Sequence, residues 1–174
     1  STADGVGFEW QNRIWANGGQ IKISGENSNA SSGYAVVLQD GGQATNPSDF
    51  FSSSNTSPAI EISALSTGAA VGLDSGYYST GANKIYLQAT GSGGITLTGD
   101  ASGQNRPEVG LNGTNVLSAG PITINTRSTT ASRGGFFHGG LYSGGSVGAV
   151  VVGYCSTTTC PLSQVTTSSA NIVI

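Results

Sequence analysis

Charged residues are scarce in this chain. Six Lys and Arg and nine Asp and Glu amount to 9% of its 174 residues, with one histidine and no methionine. The charges are scattered singly and sum to -3, so no basic face is present to meet phosphates, and nucleic acid is not an expected partner. No apolar run approaches the roughly 18 residues of a membrane span, so no membrane-spanning segment is expected.

Motifs of enzymes and of metal sites are also missing. The sequence contains no Gly-x-Ser-x-Gly elbow and no His-Glu-x-x-His, and no nucleophile motif lies beside His138. Carboxylates never occur two residues apart, which excludes a loop with alternating oxygen ligands for calcium. We therefore expect no enzymatic activity, no metal site and no cofactor.

Helix-forming patterns are missing as well, because 28 glycines interrupt nearly every window of ten residues. The chain has instead many copies of an apolar-x-apolar pair, which places two side chains on one face of a strand. Gly, Ser, Asn and Pro separate the copies, so the chain bends after each strand. These features predict an all-β protein. The pairs are Ile21/Ile23, Val36/Leu38, Ile60/Ile62, Val71/Leu73, Ile85/Leu87, Ile95/Leu97, Val109/Leu111 and Ile122/Ile124.

The spacing of the pairs indicates an internal repeat of about 24 to 27 residues. Such a repeat favours a β-helix or solenoid, in which equivalent strands of successive turns stack in parallel. An antiparallel β-sandwich or barrel is the close alternative, because Ile85–Thr90 and Ile95–Thr98 equally suit a hairpin. The two repeat series are Ile60, Ile85, Val109 and Val71, Ile95, Ile122.

The length suits a single β domain over residues 1–174. Residues 58–126 carry the most regular strand repeat, and 127–174 form an atypical C-terminal part. We expect residues 43–57 to be a surface excursion from which Phe50 or Phe51 returns to the core. The apolar run at 149–154 predicts a central strand.

The two cysteines predict a disulfide. Cys155 and Cys160 are separated by Ser-Thr-Thr-Thr, a spacing that a tight turn brings within bonding distance. Metal binding is the alternative, but it needs further ligands. A disulfide indicates an oxidising, extracellular setting. The sequence opens on polar residues, so we expect that a signal was removed or that the chain is part of a longer one.

Two blocks carry a family resemblance. Lys84-Ile85-Tyr86-Leu87-Gln88-Ala89-Thr90 and Gly93-Gly94-Ile95-Thr96-Leu97-Thr98-Gly99-Asp100 resemble the rungs of large secreted bacterial exoproteins of the filamentous-haemagglutinin, two-partner-secretion type. The resemblance covers about residues 58–126. It implies a right-handed parallel β-helix, export to the cell surface and adhesion without catalysis.

The first functional hypothesis is an extracellular, non-enzymatic structural or adhesive protein, either a segment of a surface adhesin or a self-assembling, pilus-like fibre subunit. Its partners would be other copies of itself, joined through end strands that lack edge-blunting lysines or proline. An apolar strand at 171–174 would be paired within its own sheet or offered to another copy. The candidate contact residues are Phe8, Trp10, Ile14, Trp15, Ile172, Val173 and Ile174.

The second hypothesis is a carbohydrate-binding module that binds surface glycans through exposed aromatic rings. Its candidate stacking residues are Trp10, Trp15, Tyr77 and Tyr78. Three Asn-x-Ser/Thr sequences are candidate glycosylation sites, at Asn29, Asn55 and Asn112.

Overall fold

Alternating short strands and turns make up the described part of the chain, which contains no helix. The computed structural model describes residues 4–8, 12–28, 33–39, 47–67, 71–75, 85–101, 108–111, 113–126, 136–141, 150–155, 164–168 and 170–174. For Val71, Asp74, 136–141 and 150–155 the backbone alone is described. These residues form three sheets, named A, B and C below, and the prediction of an all-β protein is confirmed.

Sheet A contains, in spatial order, β1 (Val6–Phe8), β4 (Tyr34–Leu38), β7 (Val71–Ser75), β10 (Val109–Leu111), β14 (Val150–Cys155) and β13 (Phe136–Leu141). Sheet B contains β15 (Gln164–Thr167), β11 (Thr114–Ser118), β8 (Ile85–Ala89), β5 (Ser48–Ser52) and β2 (Arg13–Ala16). Sheet C contains β16 (Ile172–Val173), β12 (Ile122–Thr126), β9 (Ile95–Ala101), β6 (Ile60–Ser66) and β3 (Ile21–Asn27).

Successive strands enter sheets A, B and C in turn. We call three successive strands, one in each sheet, a round. Each sheet therefore takes every third strand from β1 to β12. The later strand β13 departs from this order, because it lies at the edge of sheet A and β14 lies between it and β10.

Every described ladder is parallel, so the antiparallel sandwich or barrel is wrong. In particular, β8 and β9 do not form the hairpin considered above. Strand β8 pairs with β5 and β11 in sheet B, whereas β9 pairs with β6 and β12 in sheet C. The turn between them stacks on the turn of the preceding round, where Gly93 N donates to Ser54 O at 3.2 Å.

The repeat of 24 to 27 residues is also wrong as a general stacking period, although its last step, from Ile95 to Ile122, does join paired residues 27 positions apart. Ile60 pairs with Ile95, 35 residues later, and not with Ile85. The series Ile60, Ile85, Val109 steps through sheets C, B and A because it counts every second strand, whereas the sheets pair every third. Since all three sheets carry the same apolar pair, the pattern alone does not distinguish these two counts.

The core lies between the three sheets and consists of rows of matching side chains. Every member of the predicted apolar pairs whose side chain is described is buried. One row in sheet C is made entirely of isoleucines, and one row in sheet B is centred on Phe50 and Leu87, both fully buried. The two rows are Ile21, Ile60, Ile95, Ile122, Ile172 and Ile14, Phe50, Leu87, Val116, Val165.

Two predictions outside the regular region have different outcomes. Residues 43–57 were expected to be a surface excursion from which Phe50 or Phe51 returns to the core. Phe50 is buried in the core as expected, but Ser48–Ser52 forms strand β5 in the middle of the round. Its serines at both ends hide the strand in the sequence. The central strand predicted from the apolar run is confirmed, since β14 lies between β10 and β13.

Candidate functional site

The outward face of sheet B carries an exposed aromatic cluster at the end of the sheet formed by β2. Alternation along β2 and β5 turns Ile14 and Phe50 into the core, so Trp15 and Phe51 point outward. Trp15 is 66% exposed, the highest value among the large hydrophobic residues described. We call the outward side chains of Trp15, Phe51 and Tyr86 the aromatic face.

Two contacts hold the indole of Trp15 in place. Its Nε1 donates to Asp49 Oδ2 at 3.1 Å, and its ring lies 6.2 Å from that of Phe51 at an interplanar angle of 60°. Asp49 reaches the indole because it stands two residues before Phe51 on the same side of β5. A ring fixed in this way loses little conformational freedom when a flat ligand stacks on it.

Polar side chains continue the aromatic face across the sheet. Tyr86 is in register with Asp49, and Gln88 is in register with Phe51 on the neighbouring strand β8. One strand further, Asn115 is in register with Tyr86. These amide and phenol groups are half-buried and supply both donors and acceptors beside the rings. The face therefore combines flat apolar surface with hydrogen-bonding groups.

The structure brings together a different set of aromatic residues from the set predicted. Trp15 is on the aromatic face, whereas Trp10, Tyr77 and Tyr78 lie outside the described residues. Phe51 and Tyr86 were not predicted as part of a surface. The signal for Phe51 was strand alternation, because two consecutive phenylalanines in one strand must point to opposite sides.

The predicted subunit-contact residues that the structure describes, all except Trp10, lie at the two ends of the stacked strands. At the N-terminal end, Phe8 packs edge to face on Phe50, with 5.4 Å between ring centroids, and Ile14 packs against the core from its partly buried position. At the other end, Ile172, Val173 and Ile174 are 42%, 56% and 55% exposed. Ile172 continues the isoleucine row of sheet C.

The last strand of sheet C is paired along one edge. Ile122 N donates to Asn171 O at 3.1 Å, so Asn171 faces β12. Backbone groups alternate sides along a strand, which turns the N–H and C=O of Ile172 to the opposite edge. No described strand covers that edge of β16. This pairing agrees with the expectation that the terminal strand joins its own sheet, and the uncovered edge is available to a further strand.

The disulfide and the three glycosylation sites stay predictions. Cys155 ends β14, where the backbone alone is described, and Cys160 lies outside the described residues, as do Asn29 and Asn112. Asn55 is exposed, and its Oδ1 accepts hydrogen bonds from Ser92 N at 3.0 Å and Ser92 Oγ at 3.2 Å. Asn55 therefore joins two successive turns.

Searches for other sites and for relatives gave negative findings. No three His, Cys, Asp or Glu side chains of the described residues are placed to hold a metal ion. No helix in that part of the chain is long and apolar enough to cross a membrane.

Comparison with protein-family models, curated proteins and solved structures found no match to this chain. The resemblance to filamentous-haemagglutinin-type exoproteins therefore stays a prediction.

Proposed function

We propose that this chain is a non-enzymatic, extracellular structural and adhesive protein, built as a right-handed parallel β-helix whose copies join end to end. The order of strands supports the helix, because from β1 to β12 each of the three sheets takes every third strand, which requires the backbone to wind continuously. Connections between parallel strands are right-handed in about 98% of cases, which supports the hand. The resemblance to secreted adhesins supports the extracellular setting.

The observation that carries the assembly is the open edge at each end of sheet C. No described strand covers the outer edge of β16, where Ile172, Val173 and the following Ile174 are exposed, and among the described strands β3 has only β6 beside it. A second copy placed with its β3 beside β16 would continue the isoleucine row from Ile172 to Ile21. Because the two edges are different surfaces, the contact propagates into a fibre unless its rotation closes a ring.

The test is a substitution that removes one backbone N–H from the uncovered edge of β16. Ile172→Pro deletes the N–H at the uncovered edge, and it should leave the fold intact because Ile172 is partly exposed at the end of the row. We expect the parent protein to form filaments in electron microscopy and I172P to remain monomeric, with an unchanged unfolding midpoint. The matched control is Val173→Thr, which keeps every N–H and should still assemble.

Two results would contradict the assembly. One is a parent protein that stays monomeric at high concentration in light scattering. The other is an I172P protein that forms filaments as readily as the parent. Turnover of a glycan by the purified protein, abolished by changing one carboxylate, would contradict the non-enzymatic assignment.

The extracellular assignment is tested through the cysteines. Mass spectrometry of freshly secreted, non-reduced protein should find a bond between Cys155 and Cys160. Closing so short a loop stabilises the fold by only about 2 kcal/mol, so reduction should lower the unfolding midpoint modestly. Two free thiols would contradict both the bond and its use as support for the compartment.

A carbohydrate-binding module is the second candidate, and the exposed, fixed indole of Trp15 favours it. A sugar ring stacks its C–H face on such a ring while its hydroxyls bond to neighbouring polar groups. On a glycan array, Trp15→Ala should abolish binding and Trp15→Phe should retain part of it. If both variants bind the glycan as tightly as the parent protein does, the aromatic face is not the sugar-binding site.

A further inference from the structure

A groove of about 420 Å³ lies on sheet C, on a different sheet from the aromatic face. It crosses strands β3, β6 and β9, which are each seven residues long, and it lies near their C-terminal ends. One wall is a row of hydroxyls from Ser24, Ser63 and Thr98, one from each round.

The other wall is a row that begins and ends with a carboxylate. Glu26, Leu65 and Asp100 are in register on the same three strands. Gly25 and Ala64 lie between the two rows and direct their Cβ positions to the inner side of the sheet, so the floor of the groove is strand backbone.

The lining chemistry selects the class of ligand. None of the eight described lining residues is basic, and two are acidic, so an anionic ligand would be repelled. Hydroxyl and carboxylate oxygens suit a ligand that is rich in O–H or N–H donors. The side chain of Leu65, 38% exposed, offers an apolar contact midway between the two carboxylates.

The spacing of the rows selects the shape of the ligand. Neighbouring strands lie about 4.8 Å apart, so each wall presents one equivalent group at that interval. In an extended glycan chain, successive sugar rings repeat at a closely similar distance. A chain lying across the strands would therefore place one sugar on each round.

We propose that this groove binds a linear, non-anionic oligosaccharide that runs across β3, β6 and β9, with one sugar ring per strand. The hydroxyl row and the two carboxylates bond to sugar hydroxyls or amino groups, and Leu65 contacts the C–H face of the central ring. The proposal goes beyond the assembly function and does not depend on it, because the groove uses side chains on the outward face of sheet C, whereas the assembly uses the backbone edges of β3 and β16.

The first test fills the groove from its centre. Ser63 points outward, so Ser63→Tyr places a ring between the walls without entering the core. The matched control is Thr123→Tyr, which adds the same ring to the same sheet, on β12, outside the groove. The probes are immobilised linear oligosaccharides of three kinds, namely neutral, amino-sugar and uronic-acid chains, with calorimetry on the tightest binder.

We expect neutral or amino-sugar chains to bind, uronic-acid chains to fail, and Ser63→Tyr to weaken binding at least about tenfold while Thr123→Tyr does not. The double variant Glu26→Gln, Asp100→Asn should weaken amino-sugar binding more than neutral binding, because it removes the negative charge that attracts ammonium groups. Circular dichroism should show that each variant keeps the strand content of the parent.

Three outcomes would overturn the proposal. They are the absence of binding by every neutral and amino-sugar chain, equal binding by the Ser63→Tyr variant, and loss of binding in Trp15→Ala but not in Ser63→Tyr. The last outcome would assign the sugar to the aromatic face. Filament formation by the same samples reports separately on the assembly, so failure of either proposal is recognised independently of the other.

Discussion

Single glycines set how closely strands of sheets C and A approach each other. A Cβ added at Gly99 would lie 2.0 Å from Glu108 O, and one added at Gly25 would lie equally close to Ala35 O. Both contacts are with backbone atoms, which cannot turn aside as a flexible side chain does. At these positions the backbone of one strand packs directly against the chain that enters the next round.

Gly99→Ala should therefore destabilise the protein by about 1–3 kcal/mol, because the added methyl group forces the two backbones apart. Gly7→Ala is the matched control in sheet A, where the nearest atom to a new Cβ is Val37 Cγ1 at an ordinary 3.6 Å. Urea unfolding measures both. Equal unfolding midpoints for the two variants would show that the contact between Gly99 and Glu108 accommodates the added methyl group without loss of stability.

The fully buried Phe50 permits a second prediction at this scale. Its ring packs edge to face on Phe8 and lies between Ile14 and Leu87 in the core row of sheet B. Phe50→Ala should lower the free energy of unfolding by about 3–5 kcal/mol through the cavity it leaves. Phe51→Ala, on the outward side of the same strand, should cost far less. A reversed order in thermal unfolding would contradict the assigned faces.

The turns between sheets B and C stack as a unit from round to round. Thr90 N donates to Ser52 O at 3.0 Å, and Ser168 N donates to Ser118 O, also at 3.0 Å. Buried hydroxyls add further bonds, since Ser52 Oγ donates to Gly19 O at 2.6 Å and accepts from Ser54 N at 3.1 Å. Each turn is thereby fixed on the turn of the neighbouring round.

Ser52→Ala should cost about 1–3 kcal/mol, because it leaves Ser54 N and Gly19 O without the hydroxyl that bonds both. Alanine itself fits at this position, since Ala16 and Ala89 occupy it in the neighbouring rounds. The loss would therefore come from hydrogen bonds and not from packing. Thr123→Ala, on the outer face of sheet C, is the control and should change the unfolding midpoint little. Equal losses in both variants would contradict this account.

The strands of this fold were largely predictable, but their partners were not. An apolar-x-apolar pair fixes which side chains are buried, and it did so correctly for every pair member whose side chain the structure describes. It does not say which strand lies alongside, because the same pair occurs in all three sheets. Strand β5 was missed since Ser48 and Ser52 fill inward positions that Ile85 and Ala89 occupy in the next round.

The candidate sites could be predicted only in part, for the same reason. Trp15 was predicted as a candidate stacking residue. Its neighbour Phe51 is 36 residues away in the sequence and joins it only through the strand register. The hydroxyl row of the groove gave no signal in a chain rich in serine and threonine. Ser24, Ser63 and Thr98 become one wall only when three strands align.

At the scale of the whole molecule, each described round packs on the rounds next to it, and no described strand covers the outer side of the end rounds. Side chains in the middle of the sheets, such as Leu87 and Ile60, are fully buried, whereas Val6, Ile14 and Val165 at the ends are partly buried. Stability in such an arrangement is a sum of local terms and contacts between neighbours. The ends should therefore open before the middle.

Hydrogen exchange of the monomeric I172P protein should show this gradient. Amides of β8 and β9 should exchange slowest, with faster exchange in β2 and β15 at the ends of sheet B. The monomer is the appropriate sample because assembly would cover the end strands. Uniform protection from end to end would indicate that the molecule opens in one cooperative step.

The isoleucine row of sheet C has a consequence for the history of such a chain. Its members align although 39, 35, 27 and 50 residues separate them in succession. Codons gained or lost between two strands leave the row intact, so selection on the core does not preserve the distances along the gene. A lineage of these proteins is free to erase its own sequence periodicity while keeping the same three sheets.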